Sequence, residues 1–290
     1  MTSDNIDEYG CVNRLCRTGE FSEIVMEEDY RETFTPKHPT FVLGFANVGL
    51  VGTIAVNTII EQYNLVQVAH VLSDKFPPVA VFYDGVLKQP FRVYYSKDND
   101  MIVSFCEIPL SEQYYTDIAH TLMNWGVNVG VKDVVILQGL AAENPGEFEN
   151  KVFCAAKKEM TEVLEKHGIE VLPKGIILGL EATILNVCLN SLLEGYALMT
   201  PVNPQIPSPE GAAVVLEALN KIYNLDIKTD ELKEEGAKIK QKLGEMMQQV
   251  QLSRCGTSKA EWSSRRVPRS CSRRHGHSPF FTRASPEERA

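Results

Sequence analysis

Two rhythms of apolar positions alternate along the chain. Short runs of strand formers, such as Thr40-Phe-Val-Leu-Gly-Phe45, recur between stretches whose apolar residues return every three or four positions. The runs predict strands over 40–45, 66–72, 79–83, 91–95, 101–106, 133–138, 151–155 and 196–199. The longer period predicts helices over 54–63, 112–125, 158–166 and 181–193, and a helix opened by Ser208-Pro209-Glu210. In the 112–125 segment Tyr115, Ile118, Ala119, Leu122 and Trp125 share one face, with Ser111 as its cap and Gly126 as its expected stop. A final helix is expected over 229–250. There Leu232, Gly236, Ile239, Leu243, Met246 and Val250 alternate at spacings of four and three, a seam of coiled-coil type.

Strands alternating with helices imply an α/β protein: a mixed, mostly parallel sheet with helices on both faces, in three layers, plus the long C-terminal helix. The expected organisation is an acidic lead-in over 1–36, an α/β domain over 37–228, a helical arm over 229–251, and a basic tail over 252–290. The tail is rich in Ser, Arg, Pro and His, too polar to build a core, and is expected to be disordered. A native tail, a vector-derived extension and a translated frameshift would each account for it. The abruptness of the change after Gln251 favours the frameshift.

Charge sharpens this division. The 290 residues carry 29 Lys+Arg and 38 Asp+Glu. Residues 252–290 hold nine Lys+Arg and three Asp+Glu, a net of +6, so residues 1–251 carry −15. An acidic body of this size repels phosphate backbones, and nucleic acid is not an expected partner. No stretch reaches the roughly 18 consecutive apolar residues of a membrane helix, and the start lacks the basic and apolar regions of a secretory signal. No membrane partner is therefore expected, and a cytoplasmic location is. The seven cysteines are irregularly spaced, which suits reduced, buried thiols.

Candidate chemistry is sparse. Gly44-Phe-Ala-Asn-Val-Gly49-Leu-Val-Gly52 follows a strand and opens a helix, but matches neither a dinucleotide fingerprint nor a P-loop. Close strand-to-helix packing is the favoured use of its glycines. A small anion held by Gly44, Asn47, Gly49 and Gly52 at the helix N-terminus is the alternative. Glu107 and Glu143 each follow a strand end, where ligands of α/β sheets bind, and a carboxylate pair there is a candidate for acid–base work. Neither has a nearby His or Lys in sequence, so no catalytic residue is assigned. His70, His120 and His167 are scattered, no spacing suits a metal, and no cofactor is expected.

The stretch Gly44-Phe-Ala-Asn-Val-Gly-Leu-Val-Gly-Thr53 resembles the signature of the proteasome assembly chaperone 2 family. Further blocks follow in order: Phe76-Pro-Pro78 with Asp84-Gly85; Glu107-Ile-Pro-Leu110 with Tyr115, Ala119, Leu122 and Trp125; Gly179; and Ser208-Pro-Glu-Gly-Ala-Ala213. The resemblance covers 40–250 and is to archaeal-type members. It implies a nucleoside-phosphorylase-like fold without the catalytic groups, homo-oligomers, and binding to α subunits of the proteasome core particle. It also implies that the 229–250 helix, through Leu232, Ile239, Leu243, Met246 and Val250, acts as a partner-binding arm. Such arms end in a hydrophobic–Tyr–any-residue tail, and this chain, ending Glu287-Glu288-Arg289-Ala290, departs from that pattern. A small-molecule binder or phosphorylase-type enzyme is the competing expectation.

Overall fold

The computed structural model describes residues 20–30, 34–142 and 150–242. The chain divides into two units, Met1–Lys240 and Gln241–Ala290. Of the second, residues 241 and 242 are described, and both are helical. The basic tail, Cys11, Cys16, Cys255 and Cys271 lie outside the described residues.

Strand β1 (Ser22–Met26) leads to β2 (Thr40–Phe45), helix α1 (Val51–Gln62) and β3 (Val66–Ser73). A small hairpin of β4 (Val81–Tyr83) and β5 (Val86–Lys88) precedes β6 (Phe91–Ser96) and β7 (Met101–Cys106). Then come α2 (Tyr115–Asn128), β8 (Asp133–Ala141), β9 (Phe153–Ala155), α3 (Lys158–Lys166) and β10 (Glu170–Val171). Helix α4 (Leu180–Leu189), β11 (Glu194–Val202) and α5 (Pro209–Tyr223) follow. Residues 230–240 form a further helix, α6.

Among the described residues nine strands form one mixed sheet, ordered β1-β3-β6-β7-β2-β8-β11-β9-β10. Its centre, β7-β2-β8-β11, is parallel. These strands are buried on both faces because their side chains alternate between two cores. Phe41, Leu43 and Phe45 of β2 join the core under α2 and α4, with Val134 and Ile136 of β8. Val42 of β2, with Val135 and Leu137 of β8, joins the core under α1 and α5. Burying each such side chain contributes roughly 1.5–3 kcal/mol. The expected three-layer α/β architecture is thus present.

Several local details add to the sequence reading or differ from it. Part of the acidic lead-in, Ser22–Met26, pairs antiparallel with β3 along the sheet edge. Its alternation is weak because this edge strand is only partly covered. The 79–83 run does not enter the large sheet. It pairs with Val86–Lys88 in a two-stranded hairpin turned at Asp84 and Gly85, both at positive φ. The strand after α1 lies antiparallel to β6. Finally, α2 runs through Gly126 to Asn128. A side chain at Gly126 would meet Phe41 and Val131 at an ordinary 3.6 Å, so nothing there forces a stop. The chain turns instead at Gly130, whose φ of 88° is the left-handed geometry that ends helices.

The start of α5 follows the sequence signal closely. Ser208 Oγ accepts a 3.1 Å hydrogen bond from the Gly211 N–H, with Pro209 in the first turn. Cys106, Cys154 and Cys188 are free and buried, as their apolar settings suggest.

Candidate functional site

The sequence blocks converge at the carboxyl end of the parallel strands. After β2 the chain turns through Ala46 and Asn47 into a single 3-10 turn, Val48–Leu50, and then α1. Gly49 has φ 62° and Leu50 φ 52°. A left-handed Leu costs roughly 1–2 kcal/mol, so the surrounding contacts impose this turn. The glycines show how. A Cβ on Gly44 would lie under 3.0 Å from the Gly52 carbonyl oxygen, and one on Gly52 would lie as close to the Leu137 carbonyl oxygen. Gly139 meets the Val48 carbonyl in the same way. A side chain on Gly49 would stand 2.8 Å from Val202 Cγ2. The Ser208 N–H donates to the Gly49 carbonyl at 2.8 Å, which ties the start of α5 to the turn. Gly44, Gly49 and Gly52 therefore let α1 sit directly on the backbones of β2 and β8.

Asn47 differs from its glycine neighbours because its side chain is in use. Its Nδ2 donates to Glu181 Oε1 at 3.1 Å. Glu181 stands in the first turn of α4, behind Gly179 at φ 90°, and is only 3 % exposed. Burial pushes its carboxyl above the ordinary value, opposed by its own backbone N–H and by Asn47. Between them opens a crevice of about 270 Å³, lined also by Phe45, Cys106, Leu110 and Tyr115. Among the described residues no Lys, Arg or His lines it. Of the four residues weighed for a small anion, Asn47 lines this crevice beside the Glu181 carboxyl, while Gly44, Gly49 and Gly52 are not among its lining residues. Burial holds the Cys106 thiol up at about 12, so it is protonated and a poor nucleophile at neutral pH. Glu181 is not among the residues that the sequence pattern singles out. It is the one charged residue within Leu180–Leu189, and that contrast with an apolar helix was the available signal.

Glu107 does not join this crevice, although Cys106 and Ile108 on either side of it do. Strand alternation turns it to the other face of the sheet. There Arg92 Nη2 donates to its Oε1 at 2.7 Å, with side-chain exposures of 4 % for Arg92 and 13 % for Glu107. Arg92 also donates to the Gln89 carbonyl at 2.7 Å and to the Tyr94 hydroxyl at 2.8 Å. The Tyr83 hydroxyl, reaching in from the β4–β5 hairpin, donates to the same Glu107 oxygen. Burial first, then the Glu107 carboxylate, pushes the Tyr83 phenol up and keeps it a donor. Glu107 is therefore a structural anchor whose Oε1 is shared by Arg92 and Tyr83. Glu143, the other proposed acid–base partner, lies outside the described residues.

Two surface features complete the picture. The hairpin fixed by Tyr83 presents Phe82 and Leu87, cross-strand partners, at 67 % and 73 % exposure. The first part of the arm seam, by contrast, is turned inward. Leu232 is buried in the core under α1 and α5, so it is not available to a partner in this arrangement. Gly236 approaches the Glu210 side chain of α5, and Ile239 is half-buried. Ion pairs Lys233–Glu217 and Lys240–Glu210 fasten α6 along α5. Leu243, Met246 and Val250 lie outside the described residues. No helix among the described residues is long and apolar enough to cross a membrane, and no three potential metal ligands cluster among them.

Comparison with known proteins agrees with this architecture. A protein of unknown function from Thermoplasma acidophilum superposes with a TM-score of 0.65 at 33 % identity, covering 81 % of this chain and 98 % of that one. PbaA of Pyrococcus furiosus, described as an archaeal homologue of proteasome-assembly chaperone, superposes with a TM-score of 0.70 at 25 % identity. That match covers 84 % of this chain and 99 % of PbaA. An uncharacterized protein of Methanocaldococcus jannaschii is 29 % identical over 213 residues, 73 % of this chain and 87 % of that protein. A sequence model of the PAC2 family matches residues 41–247, across the glycine turn, the Asn47–Glu181 crevice and α6, and the chain belongs to the PAC2 family.

Proposed function

We propose that this chain is a non-catalytic assembly chaperone or adaptor of the proteasome core particle, acting as a homo-oligomer that binds α subunits. The observation that carries the reading is the family match over residues 41–247, joined by a similarity to PbaA that extends over 84 % of the chain. The chemistry of the sheet end supports it. Glu107 is paired with Arg92, no Lys, Arg or His among the described residues lines the crevice, and burial pushes the Cys106 thiol up. A phosphate-dependent enzyme would need the reverse arrangement, with donors and cations facing its anionic substrate. The exposed Phe82–Leu87 pair offers an apolar contact surface instead. The −15 charge of residues 1–251 would steer the protein toward basic partner surfaces, with an on-rate that falls as salt rises.

Light scattering after size-exclusion chromatography tests this reading, with the chain alone and mixed with recombinant α subunits. Self-association above monomer mass and a co-eluting complex weakened by salt are expected. Failure to co-elute at any salt, together with phosphate-dependent cleavage of a nucleoside, would replace the reading with an enzymatic one.

A further inference from the structure

The Glu181 carboxylate is expensive where it stands. It is 3 % exposed, and a carboxylate has about four acceptor positions. Two are met in the fold: Asn47 Nδ2 donates to Oε1, and the residue's own backbone N–H donates to the carboxylate. Neither donor carries a charge, and among the described residues no cationic side chain lines the crevice into which the group opens. Glu107 in the same molecule is the contrasting case. That carboxylate is similarly sequestered but has an arginine and a tyrosine of its own. A buried carboxyl group with no cationic side chain among the described residues beside it, opening into a crevice, is a candidate for a ligand that completes its pairing.

The walls say which ligand. Phe45, Leu110 and Tyr115 are apolar or aromatic, and Glu112, in the 3-10 turn that precedes α2, adds a second carboxylate. The volume, about 270 Å³, falls below the roughly 300–1,000 Å³ range of drug-sized ligand pockets. It suits one short aliphatic chain with a charged end. The position, beyond the carboxyl ends of β2 and β7, is where open α/β sheets bind ligands. We propose that this crevice is a recognition pocket for an alkylammonium group, with Glu181 as its counter-ion, Asn47 orienting that carboxylate, and the Phe45–Tyr115 walls covering the aliphatic stem. The group arrives either as a free small amine or as the side chain of a lysine in a polypeptide. The proposal does not depend on the identity of the macromolecular partner, so loss of α-subunit binding and loss of amine binding are separate results.

The test uses the full chain and calorimetric or NMR titration with four probes: n-butylammonium, the isosteric n-butanol, inorganic phosphate, and a short peptide with one central lysine. A charge-assisted contact to a desolvated carboxylate predicts that butylammonium binds about tenfold or more tightly than butanol, with phosphate not binding. Glu181→Gln should erase the preference for the ammonium over butanol. Tighter binding of the lysine peptide than of butylammonium assigns the pocket to a protein side chain; the reverse assigns it to a small amine. Equal binding of butylammonium and butanol to the wild-type chain overturns the proposal, and this comparison needs no variant to fold. Phosphate binding in the crevice, or an ammonium preference that survives in a folded Glu181→Gln protein, overturns it as well.

Discussion

Gly52→Ala puts the central packing claim at risk with a single methyl group. Its Cβ would lie under 3.0 Å from the Leu137 carbonyl oxygen and 3.0 Å from the Phe45 nitrogen, both backbone atoms of the buried sheet. Neither can rotate away, so α1 must lift from β2 and β8. Overpacking of this kind costs about 3 kcal/mol, the upper part of its usual range. Replacing a helical Gly by Ala returns up to about 1 kcal/mol. The expected net loss is about 2 kcal/mol, or a fall in Tm of roughly 4–8 °C for a domain of this size. Gly236→Ala is the matched control. Its Cβ would also come under 3.0 Å from a neighbour, but that neighbour is the Glu210 side chain, which can swing aside. The Glu210–Lys240 pair it disturbs is partly exposed and worth little. Gly236→Ala should therefore lie between neutral and about 1 kcal/mol stabilising. Urea unfolding followed by circular dichroism measures both, with unchanged m-values expected. Indistinguishable midpoints for the two variants would refute the idea that rigid backbone contact, and not proximity alone, dictates glycine at the turn.

Three further outcomes rest on the same structure. Glu107→Gln strands the buried Arg92 guanidinium and should cost about 3 kcal/mol, while Arg92→Met with Glu107→Gln should recover part of that loss; additive losses in a urea double-mutant cycle would show that the pair is not coupled. Glu181 has a carboxyl pKa raised by burial, so in the window above the unfolded value the native state binds more protons than the unfolded one and stability falls as pH rises. Cys106 and Tyr115 stay protonated beside it, so Glu181→Gln should flatten this acid-side slope, with Glu112 the remaining nearby carboxylate; an unchanged difference in thermal stability across pH 4–7 would count against a buried, shifted Glu181. Leu232→Ala should destabilise the domain by about 2 kcal/mol in thermal unfolding, because α6 is anchored through this side chain; no loss would mean that the start of the arm is free.

What the sequence determined by itself was most of the elements and much of the core; β1, β5 and β10 were not among the predicted strands. Period-two runs and three-four spacings are local properties, so β2, β7, β8, α3 and the capped start of α5 are readable residue by residue. The glycine turn was legible too, because a strand, three spaced glycines and a helix permit few arrangements. Pairing was decided elsewhere. Whether 66–73 joins β2 or β6, and whether 79–83 enters the sheet or stands out as a hairpin, depends on which faces are left to cover once the central strands have assembled. The candidate site divides along the same line. Glu107 was visible at a strand end, but the Arg92 that neutralises it comes from the neighbouring antiparallel strand, 15 residues away. Glu181 and Asn47 are 134 residues apart, and no local pattern couples them. A hydrogen bond or ion pair between distant segments has no period and leaves no trace in composition; it exists only after the sheet order has brought two strand ends and a helix start together.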